Sequence, residues 1–485
     1  MTSFAEIAVD SYQDPIKKLF TYEVPENLVA KAGQKVTIPF GKRVVEGYIW
    51  KITREKPSFP TKEITAIKGQ GFAQAQVKLA HWMSEYYLAS PLDCLKCQIQ
   101  GKGERVALGS LDKITTLLLV PYATQVKLRA ALQTNLKGLL VGSRSAVFAQ
   151  LPNLKKIIIE EPENWNYKDE RSPYYHAKDV AKKRAELEGL EVEMRYISPR
   201  VEDLLELSEM GERGESGEIG GKKIGIASSL SSLISLPSPI KIIDLNREKA
   251  AGNFTFVSQP LEKYIKNNLD ALVYVNSKEL REKMKEELRK TGADKNKVEI
   301  YGPELFALAG KKAGTIFWTD VDTIFNLPDF RAHEKIVWTT QKLERLTQGD
   351  LYLQTSSPNH PLFKELENGN LTNFYGRELK AREELSLPPF STLVKLSFTG
   401  KSSAKVNFEA EKLHEQLRRF GRSPDSETSG LAGVEISPPY TPYLPTPGKF
   451  QLNIAVKMRK DTSGDKLLAS IHPDWKIEVD PESLL

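Results

Sequence analysis

Two short strings hold residue types that can do chemistry, and both stop short of a site. Cys94-Leu95-Lys96-Cys97 contains the only two cysteines among 485 residues. A C-x-x-C supplies half of a tetrahedral zinc site, and no second cysteine pair or histidine pair at ligand spacing completes it. Its other chemistry, a thioredoxin-type redox pair, needs a βαβ setting that Tyr86-Tyr87-Leu88-Ala89-Ser90-Pro91-Leu92-Asp93 does not offer, so structural thiols are expected. The second string, Gly400-Lys401-Ser402, is the sole Gly-Lys-Ser. A loop that cradles nucleotide phosphates also needs a glycine five residues earlier, where Lys395 stands. No metal, no cofactor and no catalytic residue is therefore assigned.

The elements around these strings fall into four regions. Lys35-Val36-Thr37-Ile38 and Tyr48-Ile49-Trp50-Lys51 alternate apolar and polar residues between prolines and glycines, which predicts strands of a small barrel or sheet. Val77, Leu79, Ala80, Met83 and Tyr87 set an apolar face at helical spacing over Gln74 to Tyr87. From about residue 106, buried-strand runs (Leu117 to Val120, Ile157 to Ile159) alternate with polar helices such as Ala177 to Gly189. The alternation resumes after residue 260 with Leu272 to Val275, the helix Lys278 to Lys290, and Thr315 to Trp318, which predicts a second parallel-sheet lobe. Between the lobes, Ser208 to Lys222 is rich in Gly, Glu and Ser and reads as a solvated loop. The tail offers strands at Leu393 to Phe398 and Phe450 to Val456, a helix from Ser403 to Arg419, and a flexible stretch from Gly421 to Gly433, together an α+β domain.

A chain with 40% hydrophobic and 27% charged residues and no run of about 18 apolar residues is expected to be soluble. The start Met1-Thr2-Ser3-Phe4-Ala5-Glu6 shows no basic segment before an apolar core, so a cytoplasmic protein is expected. The net charge of +6 is compatible with a polyanionic partner and identifies none.

Several strings resemble, in order, the primosomal protein N′ (PriA) family of bacterial replication-restart helicases. Leu19-Phe20-Thr21-Tyr22-Glu23-Val24-Pro25, Val36-Thr37-Ile38-Pro39-Phe40-Gly41-Lys42-Arg43 and Trp82-Met83-Ser84-Glu85-Tyr86-Tyr87 are similar to its 3′-end-binding domain. Val141-Gly142-Ser143-Arg144-Ser145-Ala146-Val147-Phe148-Ala149 and Pro173-Tyr174-Tyr175-His176-Ala177-Lys178-Asp179 resemble its first helicase lobe. Asn326-Leu327-Pro328-Asp329-Phe330-Arg331-Ala332 and Leu353-Gln354-Thr355 resemble the second lobe. Leu387-Pro388-Pro389-Phe390-Ser391 and Glu478-Val479-Asp480-Pro481-Glu482-Ser483-Leu484-Leu485 resemble the C-terminal domain. The resemblance implies an α/β multidomain protein: a β-rich DNA-binding domain over 1–104, two degenerate RecA-like lobes with parallel sheets over 105–255 and 256–384, and an α+β domain over 385–485.

Against that family the motor looks decayed. From Gly101 to Thr116 there is no room for the strand, loop and helix of a phosphate-binding unit. The acidic D-E-E-H aligns with Glu160-Glu161-Pro162-Glu163, the coupling motif G-S-A-T-P-S with Arg195-Tyr196-Ile197-Ser198-Pro199-Arg200, and the arginine-finger block with Lys342 to Gly349, where Arg345 is a poor substitute. The zinc module is absent, since no cysteine follows Cys97. An arginine finger alone accounts for roughly 10³ to 10⁵ in rate, so these losses together predict a chain without turnover.

The resemblance also implies a pocket for a DNA 3′ end lined by Phe20, Thr21 and Gly41, with Lys42, Arg43 and, in the tail, Lys449 as phosphate contacts. An aromatic ring stacks on any base, a hydroxyl can bond the 3′-OH, and glycine permits close approach. The family's pocket lysine falls on Thr65. The competing structural reading makes one of Phe20 and Tyr22 core and Gly41 a turn residue. The implied partners are forked DNA with a 3′ end or a single-stranded/duplex junction, single-stranded-DNA-binding protein and primosome components, with no membrane. Two other functions stay open: an active 3′→5′ helicase with a divergent ATP site, and a protein-interaction module that has lost DNA binding.

Overall fold

The computed structural model describes residues 3–10, 19–99, 104–133, 137–212, 218–219, 222–223, 234–236, 240–293, 297–308, 310–421, 434–443, 447–459, 471–472 and 474–485. Strands β1 (Ser3–Asp10), β2 (Leu19–Val24), β3 (Gln34–Phe40), β4 (Arg43–Thr53) and β5 (Ala66–Gln70) pair antiparallel in the order β2-β1-β4-β3-β5. Because side chains alternate across a strand, Ile7, Val36, Ile38 and Ile49 fill one core. Ala8, Tyr48 and Trp50 join the other, with Val77, Leu79, Ala80 and Met83 of the helix Gln74–Tyr86. The segment leading into β5 closes the sheet. Glu23 N–H donates to Lys62 O at 2.9 Å, Ile64 N–H to Glu23 O at 3.0 Å and Thr65 N–H to Thr37 O at 2.9 Å, which ties β2 to β3 as a small barrel.

The second sheet comprises β6 (Arg105–Leu108), β7 (Thr116–Leu119), β8 (Leu139–Gly142), β9 (Lys156–Glu160) and β10 (Glu191–Arg195), in the order β10-β9-β7-β8-β6. All pairs are parallel except β6 with β8. The stretch expected to lack room for a strand, loop and helix holds a strand, β6, at the sheet's edge, but it runs antiparallel to β8 and leads into a single turn at Leu111–Lys113.

The expected loop from Ser208 is corrected in part. The helix Val201–Glu212 continues through its first residues, and β11 (Glu218–Ile219) pairs with β12 (Lys222–Lys223) beyond. The helix is apolar enough on one side to pack: its Val201 and Leu204 lie against the core of the third sheet.

The third sheet is wholly parallel: β13 (Ile240–Asp244), β14 (Ala271–Tyr274), β15 (Val298–Tyr301), β16 (Thr315–Trp318) and β17 (Leu351–Thr355), in the order β13-β17-β16-β14-β15. Strand β13 was assigned to the first lobe by the expected boundary at 255, yet it bonds to β17. Strand pairing over more than a hundred residues of chain is invisible to local periodicity.

In the tail, β18 (Ser391–Gly400), β19 (Val434–Ile436), β20 (Phe450–Arg459) and β21 (Lys476–Val479) pair antiparallel in the order β19-β20-β18-β21. The helix Ser403–Gly421 covers them with Val406, Ala410, Leu413 and Leu417. Of the stretch expected to be flexible, only Gly421 lies within the described residues, as the end of that helix. One apolar cluster joins the helix Gln74–Tyr86, the second sheet through Leu117 and Ile157, and the tail sheet through Val394 and Ile454. Among the described residues no helix is long and apolar enough to cross a membrane.

Candidate nucleic-acid interface and the cleft between the lobes

One end of the barrel gathers most of the residues expected at a DNA 3′ end. Phe40 pairs with Arg43 across a two-residue hairpin, Gly41-Lys42. Gly41 has φ +60° while Lys42 does not enter the left-handed region, the pattern of a type II′ turn, which favours glycine at its first central position. A Cβ on Gly41 would meet nothing within 4 Å, so its surroundings are open. Phe20 stands edge-on to Phe40, ring centroids 5.1 Å apart. Phe20 and Tyr22, two apart on β2, share the barrel's inner face: Tyr22 is core, Phe20 is half-buried at its rim, and the Tyr22 hydroxyl donates to Pro39 O at 3.1 Å. Thr21, between them, turns to the opposite face. The exposed Lys62 reaches the turn, its Nζ 3.4 Å from Gly41 O. Thr65 is exposed as well.

The cleft between the two lobes is built the other way. At the end of β9, Glu160, Glu161 and Glu163 supply three carboxylates, and each is committed to the fold. Arg129 Nη2 lies 2.9 Å from Glu160 Oε2. Glu161 turns the chain with φ +54° and accepts from Lys342 Nζ at 2.6 Å, across the cleft, and from Asn164 Nδ2 at 3.1 Å. Glu163 Oε1 accepts the backbone N–H groups of Ile197 at 2.8 Å and Ser198 at 2.9 Å. Burial pushes the Glu163 carboxyl up to about 7 in spite of those two donors.

Lys342 lies on the helix Ala332–Leu346 of the second lobe. Its ammonium is 6.0 Å from the ring centroid of Tyr122, 5.5 Å from Phe306 and 5.6 Å from Trp338, so cation–π attraction adds to the ion pair. Trp338 in turn packs on Trp165 at 4.4 Å. Around this contact runs a buried ionic network. Arg331 Nη2 lies 2.5 Å from Glu202 and Arg382 Nη2 lies 2.5 Å from Glu334, with the crossed pairs at 3.2 and 3.1 Å. Burial alone raises the Glu202 carboxyl, but Arg331 and Arg382 outweigh it and hold the group well below the usual carboxylate range. Arg200 pairs with Glu482 of the tail at 3.0 Å, and Lys178 with Asp203 at 2.6 Å.

The other motif residues fall outside both places. Arg345 is exposed, one turn beyond Lys342 on the same helix. Gly400 ends β18 and the helix begins at Ser403, which leaves no loop to wrap a phosphate. Lys449 is exposed beside Gly448, before β20 in the tail. Cys94 is buried, and burial pushes both thiols up, opposite to what a reactive pair requires.

Sequence reasoning missed Lys62 and Lys342. Lys342 stood inside the block read for an arginine finger, and its three-residue offset from Arg345 on a helix was the available signal; nothing local marked Lys62.

Residues 6–100 match the family model described as the 3′ DNA-binding domain (3′BD) of PriA. The chain is 22% identical to the replication restart protein PriA of Bacillus subtilis, an alignment covering 72% of this chain and 53% of that protein. It is 21% identical to the PriA of Rickettsia conorii, covering 81% and 87%, and 23% identical to that of Chlamydia pneumoniae, covering 71% and 58%. The chain thus spans little more than half the length of two of these three relatives. The barrel matches the 3′ DNA-binding domain of PriA, and over most of its length the chain is similar to PriA proteins at 21 to 23% identity.

Proposed function

We propose that this protein binds branched DNA carrying a free 3′ end, as part of replication restart, and does so without an ATP-driven motor. The reading is carried by a contrast: the barrel places a half-buried aromatic pair and exposed cations around Gly41, whereas the interlobe cleft ties Glu161 to Lys342 within an aromatic box. A phosphoryl-transfer site must hold a metal and position a nucleophile with its carboxylates. Glu160, Glu161 and Glu163 instead hold an arginine, a lysine and two backbone amides. A phosphate loop, moreover, follows a strand parallel to its sheet and opens a helix, whereas β6 is antiparallel and opens a turn. The alignment with the Rickettsia conorii relative runs over 579 positions, more than the 485 residues of this chain, so that relative holds segments with no counterpart here.

At the barrel, the terminal nucleotide stacks on the half-buried Phe20 at the rim, with the Gly41-Lys42-Arg43 turn and Lys62 on phosphate. Lys62 supplies the charge that Thr65 lacks. Lys449 is a further phosphate contact, from the tail, and Thr21 reaches the DNA only from the barrel's outer face.

The test compares forks ending in a 3′-hydroxyl and in a 3′-phosphate at one fixed salt concentration. Tighter binding to the hydroxyl fork is expected; equal binding would reduce Phe20, Thr21 and Gly41 to structural roles. The same preparation is expected to hydrolyse no ATP with or without DNA, and DNA-stimulated hydrolysis would overturn the motorless half of the proposal.

A further inference from the structure

The segment that closes the barrel carries a feature no pocket residue explains. Phe59 is 55% exposed, although the barrel has an apolar interior only a few residues away at Ile64. A single exposed apolar side chain needs no explanation by itself, but this one has three distinctive neighbours. Pro57 and Pro60 flank it and limit the conformations of its loop. Three residues on, Lys62 is fixed by its carbonyl, which accepts from Glu23 N–H at 2.9 Å, and by its Nζ on Gly41 O. The hairpin cations Lys42 and Arg43 and the loop cations Arg54 and Lys56 are all exposed. Three residues of extended chain span at most about 11 Å, so Phe59 lies within that distance of the Lys62 backbone, whose side chain reaches the Gly41 turn. Aromatic rings interleaved with cations are what unpaired nucleic acid requires, because every base offers a π-face and every linkage a negative charge.

We propose that Phe59 is a stacking platform for a base next to the 3′-terminal nucleotide, with Lys62 contacting the phosphate between them. The ligand is single-stranded DNA at a 3′ end, and the inference rests on the DNA-binding reading of the barrel. Of the three N–H groups of the Lys62 ammonium, one is used by Gly41 O, which leaves the others for phosphate oxygens.

The experiment uses the full chain and a 3′-tailed duplex with 2-aminopurine at the second position from the 3′ end. Wild type is expected to quench the fluorophore on binding. Phe59→Ala is expected to lose the quench and to bind roughly 5- to 100-fold more weakly, with an unchanged salt slope because no charge is removed. Phe59→Trp is expected to restore both. Lys62→Ala is expected to lower the slope by about 0.7. Wild-type quench and affinity in Phe59→Ala would overturn the platform while leaving the function reading intact. If wild type binds no DNA, both fall, and a 3′-phosphate fork bound as well as a 3′-hydroxyl one, with the Phe59 effect preserved, would remove only the terminal pocket.

Discussion

The barrel end and the interlobe cleft are both dense in charge and aromatic rings, and they have opposite consequences. At the barrel, Lys42, Arg43 and Lys62 are exposed, and Phe20 is half-buried at a rim. In the cleft, Arg331, Arg382 and Lys342 are buried with carboxylates within 2.6 Å, and the rings close over the lysine. A desolvated charge that already has its partner gains little from a further one and loses much if exposed to a wrong one. An exposed cation exchanges a hydration shell and mobile counterions for phosphate at small cost. Exposure of charge, and not its presence, separates the barrel end from the structural joint in the cleft.

The largest effect that can break this comparison lies at Lys342. Lys342→Ala leaves the buried Glu161 carboxylate without its ammonium partner, and a loss of about 3 to 5 kcal/mol in chemical denaturation is expected. The double variant Lys342→Met, Glu161→Gln should recover most of it. Single and double variants of equal stability would mean that the pair is not buried as described. Opening the cleft this way should not produce ATP hydrolysis.

Next is the pH dependence contributed by Glu163. Its carboxyl rises from 4.5 to about 7 on folding, so the folded state holds this proton more tightly than the unfolded chain. The contribution is fully present below pH 4.5 and is lost as pH rises toward 7, by about 3 kcal/mol at most. Denaturation of wild type minus that of Glu163→Gln, followed from pH 4 to pH 8, should show this decline. A flat difference would place the carboxylate in contact with water.

At the barrel the effects are smaller and fall on binding. Phe20→Ala should weaken affinity for a 3′-ended single strand by about 1 to 3 kcal/mol. Its stability cost should be modest because the ring is only half-buried. The smallest change is expected for Lys42→Ala. Its salt slope on single-stranded DNA should fall by about 0.7 with the fold untouched. A drop in melting temperature in place of a change in slope would assign this cation to the structure and weaken the contrast with the cleft.

Local patterns in the sequence determined most of the elements. The helix Lys278–Lys290 and the strand Thr315–Trp318 occupy the expected residues, because apolar spacing and flanking turn residues act within a few positions. The hairpin at Gly41-Lys42 was equally legible as a turn, and so was the unusual chemistry of Glu160 to Glu163 relative to an acidic ATPase motif. Tertiary structure alone decided what those carboxylates touch. Glu161 and Lys342 are 181 residues apart, and Lys62 reaches Gly41 across 21 residues and a barrel closure. It likewise decided that β13 belongs with β17, and that β6 runs antiparallel. Composition records that a residue is charged, but burial and partner are properties of the folded surface, and these decide whether the charge holds the protein together or stays exposed to solvent.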